Sequence, residues 1–260
     1  MRFDLVAVGE VLIDVSLGKL VPGEARHAPI RLRAGGTAVN AALAAARAGA
    51  RAAVVGRVGD DAAGRLIREE LAAAGVEPLL AVDPELPTGT FAEAVVGGEY
   101  AVVADRGATD ALRAGDLPAV EADAVLVSGY LLFHERTHDV ARLALRAFGA
   151  TLSGATGGSS SPVDRGDLAD LDVLVVNDQE ARALTGLAGD AAALELAREV
   201  EIACVTLGAE GAVAAQGTRT ERVAGVDRTD TLGAGDAFAA RLLIGLARGL
   251  DLGEALYSSR

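Results

Sequence analysis

Short runs of apolar residues recur along the chain, and alanine-rich stretches with apolar positions at helical spacing separate them. The runs at 5–8, 53–56, 124–128, 173–176 and 202–207 predict strands, and the stretches at 37–48, 62–74, 135–148, 179–184 and 191–200 predict helices. Strands that are apolar throughout are buried on both faces, so this alternation predicts an α/β fold of three layers, α/β/α, around a mostly parallel central sheet. Open sheets of that kind bind ligands beyond the carboxyl ends of their strands. Two segments break the rhythm. Residues 15–33 and 88–104 contain half-polar alternation such as TFAEAVV and EYAVVAD, the latter pair joined by Gly97-Gly98. They predict a small separate β sheet, a lid over a site, built from two distant insertions. The Gly/Ser-rich run at 153–162 reads as a loop, and no internal repeat is present.

With 260 residues, 51% of them hydrophobic, the chain suits one large α/β domain over 1–260 with a small appendage. A formal net charge of -13 argues against nucleic acid or an anionic membrane as partner, although a site can be locally positive. The single cysteine, Cys204, lies in the apolar run IACVTL; with no disulfide framework possible, a reducing cytoplasmic setting is expected. The N-terminal MRFDLVAVGE lacks the shape of a signal peptide, and no apolar run approaches the ~18 residues of a membrane span. Lys19 is the only lysine, which excludes a GxxxxGK[ST] P-loop and leaves a protein-kinase arrangement unsupported. If ATP is handled, its charge must be met by backbone N–H groups, a metal and arginine.

The run DTLGAGDAF at 230–238 carries the most chemistry. Amides at Gly233, Ala234 and Gly235 ahead of an apolar helix can meet an anion, and Asp236 beside them can accept a proton from a hydroxyl. An ordinary Gly-rich turn with Asp in the first helical turn is the alternative. In AGGTAVNAA, Gly35-Gly36 permits close backbone approach to a ligand, and Asn40 can donate to and accept from sugar hydroxyls. Asp14, after the first strand, could take hydrogen bonds from adjacent hydroxyls. Asn177 and Glu180 in VVNDQE could hold a hydrated Mg²⁺ near the strand ends; a helix-capping box explains the same spacing, and Glu180 could serve both roles. Thr206, Gly208 and Gly211 in VTLGAEGAV form a tight turn that could seat a nucleotide, or a plain hairpin.

In this order the motifs resemble the PfkB family of carbohydrate kinases, with the ribokinase-like fold. The GG signature is matched by Gly35 and Gly36 with Asn40, the NxxE motif by Asn177 and Glu180, and DTxGAGD by Asp230, Thr231, Gly233, Ala234, Gly235 and Asp236. The resemblance runs from about Phe3 to the end of the chain. It implies an ATP- and Mg²⁺-dependent kinase that phosphorylates a small-molecule sugar. Asp236 would be the base, the GAGD amides the anion hole, Glu180 an organiser of Mg²⁺, and Asp14 a sugar ligand. Asp230 and Thr231 would lie on the nucleotide side with Asn177, Thr206, Gly208 and Gly211. Arg106, beside the lid, could meet a carboxylate or phosphate of the substrate. The lid edge could pair two copies into a homodimer.

There are departures. The chain ends soon after the helix carrying LLIGLARGL, so the further helices usual in the family, with ligands of a possible monovalent-cation site, are expected to be missing. Gly154-Ala155 stands where relatives carry a polar strand end, and Arg228-Thr229 replaces an apolar approach to the last motif. A catalytically impaired sugar-binding or regulatory homologue, and a nucleoside or sugar-acid kinase, therefore stay open. A remote alternative is a zinc hydrolase, since His134, Glu135 and His138 match HExxH on an expected helix.

Overall fold

The structure is a computed structural model and describes residues 1–25, 27–158, 165–225 and 233–259. In chain order the elements are β1 (Arg2–Val8), β2 (Leu12–Leu20), β3 (Arg31–Gly35), α1 (Thr37–Arg47), β4 (Ala52–Gly59), α2 (Ala62–Ala73), β5 (Glu77–Asp83), β6 (Thr88–Val96) and β7 (Glu99–Gly107). There follow β8 (Glu121–Val127), α3 (Gly129–Leu132), α4 (His138–Ala147), β9 (Leu152–Thr156), β10 (Val173–Asn177), α5 (Asp178–Thr185) and α6 (Gly189–Leu196). The last are β11 (Ile202–Thr206), β12 (Ala212–Gln216), β13 (Arg219–Val223), α7 (Ala234–Ala247) and α8 (Leu252–Ser258).

Nine strands form one sheet in the order β13-β12-β11-β10-β9-β8-β1-β4-β5. Pairing is parallel from β11 to β5, and only β12 and β13 join antiparallel. Successive residues of each central strand enter opposite cores. Leu5, Ala7, Val54, Leu126 and Cys204 pack with α1, α2, α7 and α8, whereas Val6, Val8, Val55, Val125 and Val205 pack with α3, α4, α5 and α6. Two apolar faces on every strand explain why the strand sequences show no polar alternation.

Four strands escape the sequence pattern. β5 is an edge strand, where Pro78 costs no ladder bond, and its residues are half-exposed. β9 contains Ser153 and Gly154, expected to belong to a loop, yet it is held between β8 and β10. Gly154 is small for a reason: a Cβ there would lie 2.8 Å from Leu243 of α7. β12 and β13 follow as a meander. Helix α4 starts at His138, not at residue 135, and α6 ends at Leu196.

A second sheet has the order β3-β2-β6-β7, with β2 and β6 parallel and the outer pairs antiparallel. Its strands run further than the half-polar stretches at 15–33 and 88–104, because Leu12, Ile13 and Gly35 pair within it. Both excursions leave the large sheet at carboxyl strand ends, after β1 and after β5. The root of β6 is fixed to the large sheet. Thr88 N and Oγ1 donate to Asp61 at 2.7 Å, and Thr88 Oγ1 accepts from Gly59 N at 3.0 Å.

Among the described residues no helix is long and apolar enough to cross a membrane.

Candidate active site

The site grows from the carboxyl ends of β1 and β8–β11 and the start of α7. On β2, Asp14 is 4% exposed, and Arg33 of the paired β3 reaches it at Nε–Oδ2 3.5 Å. A Cβ on Gly35 would lie 2.2 Å from the Asp14 carboxylate, so glycine is what admits that side chain. Gly36, at φ +94°, is the N-cap of α1, and a Cβ there would strike the Glu10 carbonyl at 2.3 Å. Burial pushes the Asp14 carboxyl up to about 6; Arg33 pulls it back and Glu93 adds to the rise. On the same face of the small sheet Glu93 accepts from Ser16 Oγ at 2.5 Å and from the Tyr100 hydroxyl.

One turn into α1, Asn40 Nδ2 donates to Asp236 Oδ2 at 3.0 Å. This bond joins the GG helix to the GAGD helix across almost the whole chain. Gly233 caps α7 at φ +72°, and a Cβ on it would come within 2.8 Å of the Asn40 side chain. Among the described residues no main-chain oxygen accepts from the amides of Ala234, Gly235 or Asp236; the first main-chain bond of the helix is Ala237 N to Gly233 O at 2.9 Å. A Cβ on Gly235 would meet open space. Burial pushes the Asp236 carboxyl up to about 7; Asn40 opposes the shift, and the charges of Glu10, Glu180 and Asp14 reinforce it. A base that titrates near neutrality is suited to taking a hydroxyl proton. Asp230 and Thr231 lie outside the described residues.

Asn177 ends β10 and caps α5 in a reciprocal capping box: Asn177 Oδ1 accepts from Glu180 N at 2.9 Å and Asn177 N donates to Glu180 Oε2 at 2.8 Å. The capping role is therefore present, and it leaves Glu180 Oε1 uncommitted. A Cβ on Gly157 would lie 2.0 Å from Glu180 Oε2, so the glycine pair after β9 makes room for this carboxylate. Burial pushes Glu180 up and its bond from the Asn177 amide opposes that. Beyond it opens a cavity of about 700 Å³ lined by Asn177, Thr206, Gly208, Arg182, Asp190 and Arg222, among others. Thr206 Oγ1 donates to Val176 O at 3.4 Å. Gly208 begins the turn of the β11–β12 hairpin. Gly211 does not line the cavity; a Cβ on it would lie 1.9 Å from Val223 O, so it packs the turn against β13.

The sequence patterns thus come together as two adjoining groups: Asp14, Gly35, Gly36, Asn40 and Asp236 on one side, Asn177, Glu180, Thr206 and Gly208 on the other. Arg106 stands at the end of β7, bonded through Nε to Asp110 at 2.5 Å, and within electrostatic reach of Glu10. Glu10 itself was not expected. It lies two residues past the end of β1, is 5% exposed, and is raised by burial against a hydrogen bond with Ser128. The signal available was only its place, just past the apolar end of β1 where ligands bind; nothing in the local pattern marks it as buried.

The HExxH reading is corrected. His134 lies in the turn that leads into α4, where its carbonyl accepts from His138 N at 2.8 Å, and not on the helix itself. The His138 ring is occupied locally, Nδ1 donating to Leu132 O at 2.7 Å and Nε2 lying 3.5 Å from Asp167. Among the described residues no group of three His, Cys, Asp or Glu side chains is placed to hold a metal by itself.

Comparison with known proteins agrees with this geometry. The chain is 30% identical to the 2-dehydro-3-deoxygalactonokinase of Haloferax volcanii, over 98% of this chain and 88% of that protein. It is 31% identical to the 2-dehydro-3-deoxygluconokinase of Thermoproteus tenax, over 97% of this chain and 84% of that one. The crystal structure of a probable sugar kinase protein from Rhizobium etli CFN 42 superposes with a TM-score of 0.87 at 26% identity, over 99% of this chain and 91% of that chain. The fold is ribokinase-like. With residues 2–258 matching as a pfkB family carbohydrate kinase, the chain belongs to that family, whose members move a phosphoryl group from ATP to a sugar hydroxyl.

Proposed function

We propose that Asp236 removes the proton from a sugar hydroxyl as that oxygen attacks the γ-phosphate of ATP in line. The amides of Ala234, Gly235 and Asp236, unpaired among the described residues, then bind the charge that develops on the migrating phosphoryl group. Asp14 and Asn40 orient the sugar, with the Gly35-Gly36 backbone beneath it and Arg106 at its far side. ATP lies over Asn177, Thr206 and Gly208, with its phosphates toward α7 and the segment of Asp230 and Thr231 on its flank. The observation that carries the reading is the bond from Asn40 to Asp236, which brings a sugar-binding amide and a base near neutrality to one point.

Mg²⁺ fits as a shared ion rather than a caged one. It commonly takes one or two carboxylates and completes its shell with phosphate oxygens and water. Glu180 offers, among the described residues, one oxygen not used by the capping box beside the Gly157 backbone, consistent with a contact through water. When bound, the ion supplies neutralisation of the phosphate charge.

The small sheet serves as the lid. Its outer face suggests a homodimer: Leu32, Val15, Ala92 and Val103 are register partners in one row across four strands, with Leu32 56% and Val103 69% exposed. Leu32→Asp should convert a dimer to a monomer in light scattering. A cytoplasmic setting suits an ATP-using enzyme whose one cysteine is buried and unpaired.

A sugar acid is a second reading, favoured by Arg33 beside Asp14 and by the two relatives named as kinases of dehydro-deoxy sugar acids. ADP release measured over neutral sugars, sugar acids and nucleosides at saturating MgATP decides between them. One class should be turned over well above the rest. Substrate-independent ADP formation, or none with any class although a sugar binds, would overturn the phosphotransfer assignment in favour of a binding or regulatory role.

A further inference from the structure

Two side chains of opposite charge near the sugar side of the crevice each carry one buried polar atom that is unused. Among the described residues Glu10 Oε2 and Arg106 Nη2 have no hydrogen-bond partner. Glu10 is 5% exposed, and Arg106 has most of its surface covered. They interact electrostatically, yet no ion pair closes between them among the described residues. Their other ties lie elsewhere: Glu10 to Ser128 and its own backbone, Arg106 to Asp110.

Glu10 lies beside the reacting groups, and Arg106 is within its electrostatic reach. Glu10 lies against Gly36, whose missing Cβ would be 3.3 Å from the Glu10 Cβ, and the charge of Glu10 is felt at Asp236. Arg106 ends β7, the lid strand that returns the chain to the large sheet. A buried acceptor and a buried donor that stay apart, each unpaired, are costly to the empty protein. Such an arrangement persists where a ligand completes it.

We propose that Glu10 and Arg106 form a subsite that reads one alcohol group of the substrate, a hydroxyl other than the one phosphorylated. This rests on the sugar-kinase reading above and assigns Glu10 a role in specificity. An alcohol satisfies both atoms at once, donating its hydrogen to Glu10 Oε2 and accepting from Arg106 Nη2. A carboxylate has only acceptors. It would satisfy Arg106 and set like charge against Glu10. An apolar group would leave both unpaired, and a site built to bond a hydroxyl discriminates strongly against an analogue that lacks it.

The test is calorimetric binding without nucleotide, so it does not depend on turnover. D-ribose, D-fructose and 2-dehydro-3-deoxygluconate are titrated first, then the monodeoxy analogues of the tightest binder, into wild type, Glu10→Leu, Glu10→Gln and Arg106→Met. Wild type should lose roughly tenfold or more in affinity for one monodeoxy analogue. Glu10→Leu and Arg106→Met should bind the parent sugar about as weakly as wild type binds that analogue, with no further loss when the hydroxyl is also removed. Glu10→Gln, which keeps an acceptor oxygen, should recover part of the affinity. The empty Glu10→Leu protein should melt at or above the wild-type temperature, since an unpaired buried carboxylate has gone; a purely structural Glu10 gives the opposite shift. Equal losses for all analogues, a lower melting temperature with parallel weakening of every sugar, or no binding of any polyol by wild type would overturn the subsite. Hydroxyl-dependent binding without ADP formation would leave it standing and defeat the phosphotransfer assignment instead.

Discussion

The two halves of the crevice are built by opposite means. On the sugar side, the carboxylates of Glu10, Asp14 and Asp236 are drawn out of water and pushed upward in pKa, and glycines leave the room for this packing: a Cβ on Gly35 would strike the Asp14 carboxylate, one on Gly36 the Glu10 backbone, and one on Gly233 the Asn40 side chain. On the nucleotide side the groups, Glu180 apart, are open, and they are already bonded to one another: Asn177 with Glu180, Arg222 with Asp190, Arg182 with Asp178. Geometry is fixed in advance where a proton must move, and it is left to the ligand where a long, charged molecule must enter and leave. Substitutions should therefore have large effects in the first half and small ones in the second.

Asp236→Asn should produce the largest effect. A general base contributes roughly 10²–10⁴-fold, and kcat should fall by that much while calorimetric sugar binding changes little. The same group sets the pH behaviour. In wild type kcat should rise with pH through about 7 as Asp236 ionises. Stability should run the other way. A carboxyl whose folded pKa lies above its unfolded value gives stability that is full below the unfolded value and is lost as pH rises through about 7. The melting temperature of the empty protein should thus fall between pH 5 and pH 8, and Asp236→Asn should flatten that fall. A near-normal kcat in the variant removes the base from the mechanism.

Gly35→Ala should come next. Its Cβ would lie 2.2 Å from the Asp14 carboxylate and must move it. Because a misplacement of about 1 Å can cost 10²-fold, kcat/KM for the sugar should fall by about that factor with the KM for ATP nearly unchanged. Equal loss in both KM values would show that the halves are not separable.

How much of this was legible in the sequence follows the same division. Glycine needs no partner to reveal itself, and the spacing of Gly35, Gly36, Gly233 and Gly235 with Asp14, Asn40 and Asp236 pointed to the converging groups before any fold was known. The central strands were legible because burial on both faces leaves an unbroken apolar run. β9 was not, because Ser153 and Gly154 read as loop; the strand exists through pairing to β8 and β10 and through the packing of Leu243. The histidines at 134 and 138 misled for a related reason. Their spacing is helical, but the helix starts only at His138. Glu10 stayed hidden because nothing local marks a lone carboxylate as buried.

Glu180→Gln stands between the two halves and should show an intermediate effect. The amide keeps an acceptor for the Asn177 amide, so the cap and the fold survive. Loss of its charge should weaken the use of Mg²⁺, raising the Mg²⁺ concentration for half-maximal rate by about tenfold. It also removes one of the charges that hold Asp236 up. The acid limb of kcat should therefore move to lower pH, a displacement that a change in metal affinity alone does not produce when Mg²⁺ is saturating.

Arg222→Ala should be the smallest change. Arg222 lines the nucleotide cavity and is bonded to Asp190 through Nε at 3.0 Å and Nη2 at 2.8 Å. Both side chains are about half exposed, so their attraction is screened and the pair adds little. A guanidinium already neutralised by a carboxylate also offers little to a phosphate unless it leaves its partner. The KM for ATP should rise by no more than about threefold, with kcat and sugar affinity unchanged. A tenfold rise would mean that Arg222 abandons Asp190 when ATP arrives. The open half would then be rearranged by its ligand, and removing Asp190 instead should tighten ATP by freeing the same charge.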